Sequence, residues 1–314
     1  MPKLLLVWLY GGLLCPLLVQ AQYETLQERR SFYFYLARHY MPEALPLLAA
    51  VPDTAFFGRF AEGGTQQDAL DAFNTLVHES LHWYNYQQGG FWHENYYIKP
   101  GQDLRTRRRF VFNSVALNAI VPVEVQARIF RYHTYIGDSS RVGSQVNGFY
   151  GILEEFGAYY YGTKADLSLY PYYQTFCQQS GCWMKKFLGN TLSTLHAYYE
   201  FRLFMAWYLR YASLHEPEVY EGLMNDLVLR KAYTLINRDF TDLVSNFFVL
   251  REELLDSLRA AGVRLWRQDD SIMVFDPNRK VVLGYDTFDQ ELIWLKSLMS
   301  AEDEALLDRF ALPD

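Results

Sequence analysis

Cysteine is scarce in this sequence of 314 residues, which contains only three. Cys15 lies in an apolar N-terminal segment, while Cys177 and Cys182 stand close together in TFCQQSGCWM. Because no further cysteine is present, a metal site built from thiolates alone is excluded. The close pair could form a local disulfide bond or supply two ligands to a mixed metal site. We expect the disulfide bond, which is the simplest arrangement in a secreted chain.

An excess of positive charge is also missing, because 29 Lys and Arg residues face 36 Asp and Glu residues, for a formal net charge of −7. This balance argues against nucleic acid and against anionic membrane surfaces as partners. The run RTRRR, from Arg105 to Arg109, is the one notable basic stretch. We expect it to form a solvated loop or helix face.

The sequence has no internal repeat and no low-complexity segment. It is instead 50% hydrophobic and 17% aromatic, with 25 Tyr, 22 Phe and 7 Trp. Aromatic rings fill a core with a large contact area, and Tyr keeps a polar tip for hydrogen bonds. The composition predicts a well-packed globular protein of one or two domains.

The apolar run at the N-terminus, Leu4 to Leu18, is short for a membrane span and is interrupted by Gly and Pro. Lys3 precedes the run, and Val19-Gln20-Ala21 follows it with small or apolar residues at the positions that a signal peptidase reads. We predict a signal peptide over residues 1–21 and a mature chain from Gln22. The expected location is secreted or periplasmic, with no stable membrane insertion after cleavage.

Helical periodicity, with helix start and stop signals, dominates the remaining sequence. The predicted helices cover residues 23–40, 65–88, 148–162, 190–214 and 288–311, with two more in 217–258. Strands are predicted over 94–99 and 129–137, where aromatic and β-branched residues alternate, and three short strands follow Gly262. The expected fold is mainly α (α+β). Residues 22–258 would form the main domain and residues 259–314 a small α+β subdomain.

The clearest chemical signal is HESLH, residues 78–82, inside the second predicted helix. Residues four apart share a helix face, so His78 and His82 can direct both imidazoles at one metal ion. Glu79 is rotated about 100° from His78, and its carboxylate reaches the edge of that site. There it can hold and deprotonate a water molecule, which is why H-E-x-x-H on a helix is typical of zinc hydrolases.

A catalytic zinc site needs a third protein ligand. No histidine follows at the spacing H-x-x-G-x-x-H, because the residues after His82 are WYNYQQGG. The helix predicted from Gly148 offers two acids in GILEEFGAYYYG, Glu154 and Glu155. Either of them could complete the site.

In these two helical motifs the sequence resembles the gluzincin metallopeptidases, the group that combines H-E-x-x-H with a downstream glutamate ligand. In that group the ligand is commonly followed by a small residue three positions on and often by an aromatic residue two further along. Glu155 with Ala158 and Tyr160 fits this pattern, and Glu154 fits it nearly as well. The group often has Asn before the ligand, and Glu154 stands in that place, so the resemblance favours Glu155.

The resemblance implies a zincin-like helical core with one Zn²⁺ per chain, held by His78, His82 and Glu155. It also implies hydrolysis of a peptide or protein substrate, with Glu79 as general base. The stretch between His82 and Glu155 is longer than in compact members of the group. An insertion that contains the predicted strands would explain this length.

A hydrolase of this kind needs a donor for the developing oxyanion. Tyr159 is preferred because it lies one turn beyond Glu155 and faces the same way. His196 stands four residues before Glu200, so a hydrogen-bonded core pair is the alternative role for it. The complete set of candidates is His133, Tyr135, Tyr150, Tyr159 and His196.

Two other functions fit the same residues. The metal and base would equally hydrolyse amide bonds outside peptides. Alternatively, zinc would only join two helices of a secreted binding or structural protein. Glu79 argues against this last function, because a structural site has no use for an unliganded carboxylate beside the metal.

Overall fold

The computed structural model of the protein describes residues 25–60, 64–137, 143–176, 184–190, 192–276 and 280–313. The fold is mainly α with two small antiparallel sheets, as the sequence predicts. The predicted signal peptide lies outside the described residues, as does the predicted disulfide bond between Cys177 and Cys182.

The helices are numbered here in chain order over the described residues. They are α1 (Leu26–Tyr40), α2 (Leu45–Ala50), α3 (Gln66–Gly89), α4 (Val123–Arg128), α5 (Gly143–Val146), α6 (Gly148–Ser168), α7 (Tyr170–Phe176), α8 (Leu192–His215), α9 (Pro217–Met224), α10 (Leu227–Ala260), α11 (Asp289–Leu298) and α12 (Ala301–Phe310). Short 3₁₀ turns occupy Pro42–Ala44, Thr54–Gly58 and Ser114–Ala119, and π-helical turns occupy His133–Gly137 and Lys185–Asn190.

The strands form a hairpin and a three-stranded meander. β1 (His93–Lys99) pairs with β2 (Gln102–Arg107), and Gly101 adopts φ +77° in the tight turn between them, a conformation that glycine accepts without strain. In the second sheet β4 lies between its two neighbours. Its strands are β3 (Arg264–Gln268), β4 (Ser271–Asp276) and β5 (Val281–Asp286).

Helices α3 and α6 pack closely against each other and form the framework of the molecule. α3 begins with a reciprocal cap, in which Thr65 and Asp68 each accept a hydrogen bond from the other's backbone N–H. The close approach depends on Gly162, where a Cβ would lie 3.1 Å from the backbone oxygen of Asn74 and 3.5 Å from Cβ of His78. The prediction that Gly162 ends its helix was wrong, because α6 continues to Ser168.

Helix α8 packs against α6 and completes the central core. Its side chains Phe201, Phe204 and Met205 are fully buried, as expected for a helix that is apolar nearly all round. Among the described helices, none has both the length and the apolar character needed to cross a bilayer.

Residues 129–137 do not form the predicted strand but a turn followed by a π-helical turn. The buried apolar residues of this segment are Ile129, Tyr132 and Ile136. They are spaced three and four residues apart, which is the period of a helix and not of a strand. The aromatic and β-branched composition suggested a strand, but the burial follows the helical period.

The C-terminal segment contains two helices in place of the single predicted one. Ser300 caps α12 by accepting a hydrogen bond of 3.1 Å from the backbone N–H of Asp303. Two ion pairs then join α12 to α8, Arg210 with Asp303 at 3.2 Å and Arg202 with Glu304 at 2.5 Å. The segment therefore packs directly on the central helices.

Candidate metal centre

The two histidines of HESLH lie in the middle of α3, where the helix is regular. Their Nε2 atoms are 3.0 Å apart, and the imidazole rings meet edge to face with centroids 4.7 Å apart. This is the arrangement that four-residue spacing on a helix predicts. Both rings therefore point into one small volume beside α6.

Glu155 of α6 brings its carboxylate to the same volume. Its Oε2 lies 3.6 Å from Nε2 of His78 and 3.4 Å from Nε2 of His82. A tetrahedral zinc site with bonds of about 2.0–2.1 Å places its ligand atoms about 3.3 Å apart. The separations in this group, 3.0, 3.4 and 3.6 Å, bracket that value.

The chemistry of the three residues also fits a metal ion. His78, His82 and Glu155 together form a group that could hold one. Oε2 of Glu155 is buried and makes no hydrogen bond of ordinary geometry within the described residues. Its nearest partners are the two imidazole nitrogens at 3.4 and 3.6 Å, and a cation between the three ligand atoms would satisfy the buried carboxylate more completely.

Glu154, the alternative third ligand, occupies a different place. Its Oε2 lies 2.6 Å from Nδ1 of His82, and its Oε1 accepts a hydrogen bond of 3.1 Å from Asn85. Asn85 is itself held, because its Oδ1 accepts from Asn95 at 3.2 Å and from the N–H of Tyr97 at 3.1 Å. A carboxylate on the second ring nitrogen of a metal-binding histidine fixes the tautomer and orients the ring.

The two histidines differ in proton affinity in the metal-free protein. Burial lowers the pKa of His78 well below its ordinary value, and His82 and Arg131 lower it further. Burial also lowers the pKa of His82, but the carboxylates of Glu154 and Glu155 outweigh it and hold this pKa well above the ordinary value. A metal ion must therefore displace a proton from His82 and none from His78.

Glu79 lies next to the metal ligands and lines the surrounding cavity without belonging to the three-residue group. Burial raises the pKa of its carboxyl, His82 lowers it, and the neighbouring acids Glu155 and Glu154 raise it further. A raised pKa makes a carboxylate a better proton acceptor at neutral pH.

Tyr159 lies beside His78, with ring centroids 4.7 Å apart. Its hydroxyl is 3.1 Å from the hydroxyl of Tyr135, which comes from the π-helical turn. The guanidinium of Arg131 lies 4.5 Å from the centre of the Tyr159 ring. Arg131 is fixed in turn by Glu200, at 2.7 Å, in an ion pair whose side chains are 6% and 1% exposed.

The other predicted oxyanion donors lie in different surroundings, and not all of them reach the metal ligands. Tyr135 lines the cavity with the metal ligands, whereas Tyr150 donates to Asp226 at 3.1 Å and His133 is exposed. The expected pairing of His196 with Glu200 is replaced by the ion pair between Glu200 and Arg131, while the His196 ring packs near Phe288.

A cavity of about 430 Å³ opens over the metal ligands, and a smaller one of about 150 Å³ lies beside His78 and Tyr159. His78, Glu79 and Tyr135 line both. The larger cavity is lined by His78, Glu79, His82, Asn85, Tyr86, Glu94, Arg108, Thr134, Tyr135, Gly143, Ser144, Asn147, Gly151, Glu154 and Glu155.

Nine of these residues were not site candidates in the sequence analysis, and three of them, Asn85, Glu94 and Arg108, make polar contacts at the site. Asn85 could have been found, because it stands three residues after His82 on the same helix face. Glu94 and Arg108 form an ion pair of 2.5 Å across the β1–β2 hairpin. The basic run was expected to form a solvated loop or helix face, but Arg105 to Arg107 belong to strand β2. Arg107 is exposed, whereas Arg108 is half-buried against Glu94.

Comparisons with protein-family models, with curated proteins and with solved structures find no match.

Proposed function

We propose that the protein is a zinc-dependent metallopeptidase. The observation that carries this proposal is that His78, His82 and Glu155 can hold one metal ion while Glu79 lines the adjoining cavity. Two histidines and one glutamate are a known ligand set of catalytic zinc, which leaves the fourth position for water or substrate. A cavity of about 430 Å³ is of the size that binds small ligands and short peptides.

Zinc on these ligands would polarise the scissile carbonyl and make a water molecule more acidic. Glu79 accepts the proton of the attacking water, since burial has raised the pKa of its carboxyl. The same carboxyl then delivers the proton to the leaving nitrogen. Glu154 keeps Nδ1 of His82 protonated, so that Nε2 faces the metal position.

The hydroxyls of Tyr135 and Tyr159 are the oxyanion donors that the geometry favours. They lie 3.1 Å from each other, next to His78. Burial, together with Glu155, raises the pKa of Tyr135 far above its ordinary value, so its hydroxyl remains a donor at neutral pH. The ring of Tyr159 is held between Arg131 and His78.

The decisive experiment compares metal content and peptide hydrolysis in the purified protein and three variants, one of which is a control. Glu79→Gln should keep one zinc per chain and lose about 10²- to 10⁴-fold in hydrolysis rate, the usual contribution of a general base. Glu155→Ala should lose both zinc and activity. Glu124→Gln, which removes an exposed acid of α4, is the control and should change neither.

The outcome also separates this proposal from its alternatives. A zinc-loaded protein that hydrolyses no member of a broad peptide library, and whose Glu79→Gln variant behaves identically, would be a binding or structural protein. Activity on non-peptide amides alone would place it among other zinc hydrolases. Failure to bind zinc at all after loading would end the proposal.

A further inference from the structure

Arg108 occupies an unusual position on the wall of the larger cavity. It directly follows β2, and its backbone N–H donates to the carbonyl of Trp92 at 3.1 Å. This bond extends the β1–β2 hairpin by one more residue pair. The arginine is therefore presented to the cavity by a sheet, which fixes its backbone better than a free loop would.

Glu94, which also lines the cavity, anchors this arginine. Its Oε1 lies 2.5 Å from Nε of Arg108, and the residue is only 6% exposed. The two atoms form an ion pair without a hydrogen bond of ordinary geometry. Among the described residues, Glu94 is the one carboxylate within 4.0 Å of this guanidinium. An arginine carries five N–H donors in a planar fork, so one ion pair leaves most of them for a ligand.

Arg108 carries the opposite charge to the acids that line the cavity. Among the described residues that line it, Arg108 is the single Lys or Arg, whereas four are acids: Glu79, Glu94, Glu154 and Glu155. The Arg108 side chain is 32% exposed, so its charge is accessible from the cavity. The acids repel an anionic group that enters the cavity. Besides a metal ion, the Arg108 guanidinium is the group that attracts it.

A second donor lies on the same cavity. Ser144 is 9% exposed, and its Oγ has no hydrogen-bond partner within the described residues. A buried hydroxyl without a partner is costly unless a ligand or water forms a hydrogen bond with it. The cavity thus offers a guanidinium and a hydroxyl, which are both donors that carboxylate oxygens accept.

We infer that Arg108, held in place by Glu94, binds a carboxylate of the substrate in the larger cavity. The carboxylate is the C-terminus of a peptide or the side chain of an acidic residue near the cleaved bond. The planar fork of arginine matches both oxygens of such a group. This inference rests on the proposed peptidase function and adds the chemical class of group that the site selects.

The test measures binding separately from hydrolysis. Three peptides carry the same N-terminal fluorescent label: one ends in a free carboxylate and has no acidic residue, one is its C-terminal amide, and one is an amide with a single Glu. Their binding to the zinc-loaded Glu79→Gln protein is followed by fluorescence anisotropy. We expect a carboxylate peptide to bind about 10- to 100-fold more tightly than the plain amide, the usual effect of a charged hydrogen bond.

Variants assign this preference to Arg108 and identify its source. Arg108→Ala in the same background should reduce the preference to about twofold or less, and Arg108→Lys should restore part of it. Arg107→Ala, the loss of a neighbouring exposed arginine, should leave it intact. Tight binding of the free acid alone identifies the peptide C-terminus, and tight binding of the Glu-containing amide identifies an acidic side chain.

Equal binding of all three peptides would overturn the inference, and so would a preference that survives in both Arg108 variants. Circular dichroism identifies any variant that fails to fold. Arg108→Lys then carries the test, because it loses the planar fork, and a preference as large as that of the Arg108 protein would contradict the inference. Hydrolysis by the protein with Glu79 intact is scored on its own. If this protein hydrolyses no peptide although the carboxylate preference is present, the peptidase proposal fails. The assignment of a carboxylate-binding site at Arg108 would still stand.

Discussion

Nδ1 of His82 lies 2.6 Å from Oε2 of Glu154, a carboxylate 72 residues later in the chain. The contact leaves Nε2 of His82 turned toward His78 and Glu155. Glu154→Ala should therefore weaken zinc binding about 10- to 100-fold without removing a ligand, as is typical when the partner of a metal-binding histidine is lost. Competition with a chelator of known zinc affinity measures the change.

Two further variants calibrate this prediction. Glu154→Gln keeps an oxygen that can accept from Nδ1, so its loss of affinity should be smaller than that of Glu154→Ala. Glu155→Ala removes a ligand and should lose more than either. The reverse order, with zinc kept in Glu155→Ala and lost in Glu154→Ala, would exchange the roles of the two acids.

Helix packing at Gly162 leads to a stability prediction. A Cβ there would lie 3.1 Å from the backbone oxygen of Asn74 and 3.5 Å from Cβ of His78. Gly162→Ala should therefore destabilise the protein by about 1–3 kcal/mol, since the two helices must move apart. Urea unfolding measures the free energy, and the zinc affinity should fall with it because His78 lies at the contact.

Gly157→Ala is the matched control in the same helix. Its new Cβ would meet only the tip of the Ile236 side chain, at 3.4 Å. Because alanine favours a helix by about 1 kcal/mol over glycine, this variant should be neutral or more stable. Equal effects of both substitutions would show that close packing at Gly162 is not what the glycine serves.

The buried pair Arg131 and Glu200 gives a third prediction. Their side chains are 6% and 1% exposed, so Arg131→Ala would leave a buried carboxylate without its partner. We expect a loss of about 3–5 kcal/mol in unfolding free energy. The double variant Arg131→Met with Glu200→Leu should recover most of that loss. Arg128→Ala breaks a more exposed pair with Glu291 and should cost about 1 kcal/mol or less. A loss for Arg131→Ala as small as for Arg128→Ala would contradict the prediction.

Glu94 predicts a dependence of stability on pH. Burial raises its pKa to about 7, Arg108 lowers it, and Glu154 raises it. The unfolded chain has the ordinary value near 4.5, so between the two values the folded state binds more protons than the unfolded state. Folding is then favoured at low pH, and the contribution of Glu94 is lost as pH rises from about 4.5 through about 7.

The magnitude follows from the two pKa values. Between pH 5 and pH 7.5 the protein should lose about 2 kcal/mol more unfolding free energy than the Glu94→Gln variant, which cannot titrate there. Urea unfolding of both proteins at equal zinc loading measures the difference. Parallel pH profiles would mean that Glu94 is ionised in the folded protein throughout this range.

The sequence was most informative where structure depends on near neighbours. The cap at Thr65, the helix that follows it and the common face of His78 and His82 all depend on residues within four positions of each other. The choice of Glu155 over Glu154 as the third metal ligand depended on a resemblance to a known family. The structure groups this residue with the histidines and places Glu154 behind His82.

The features that sequence analysis missed depend on contacts between distant residues. Arg131 and Glu200 are 69 positions apart, and nothing local to either residue indicates the other. Arg108 was assigned to solvent because neighbouring charges in sequence usually share a solvated face. The strand predicted over 129–137 failed for a related reason, since its composition favoured a strand while packing of Ile129, Tyr132 and Ile136 favoured a helical turn.

The larger cavity is assembled from two sources. Helices α3 and α6 carry the metal ligands and Glu79, whereas the chain between these helices supplies Glu94, Arg108, Tyr135 and Ser144 to the walls. Because both ends of that intervening chain are anchored in packed helices, wall residues that do not support the ligands can change while the ligands keep their positions. If the proposed function holds, changes at Glu94, Arg108 and Ser144 could thus alter which substrates the site accepts while Tyr135 and the contacts of Asn95 stay in place, and laboratory selection directed at those three positions could do the same.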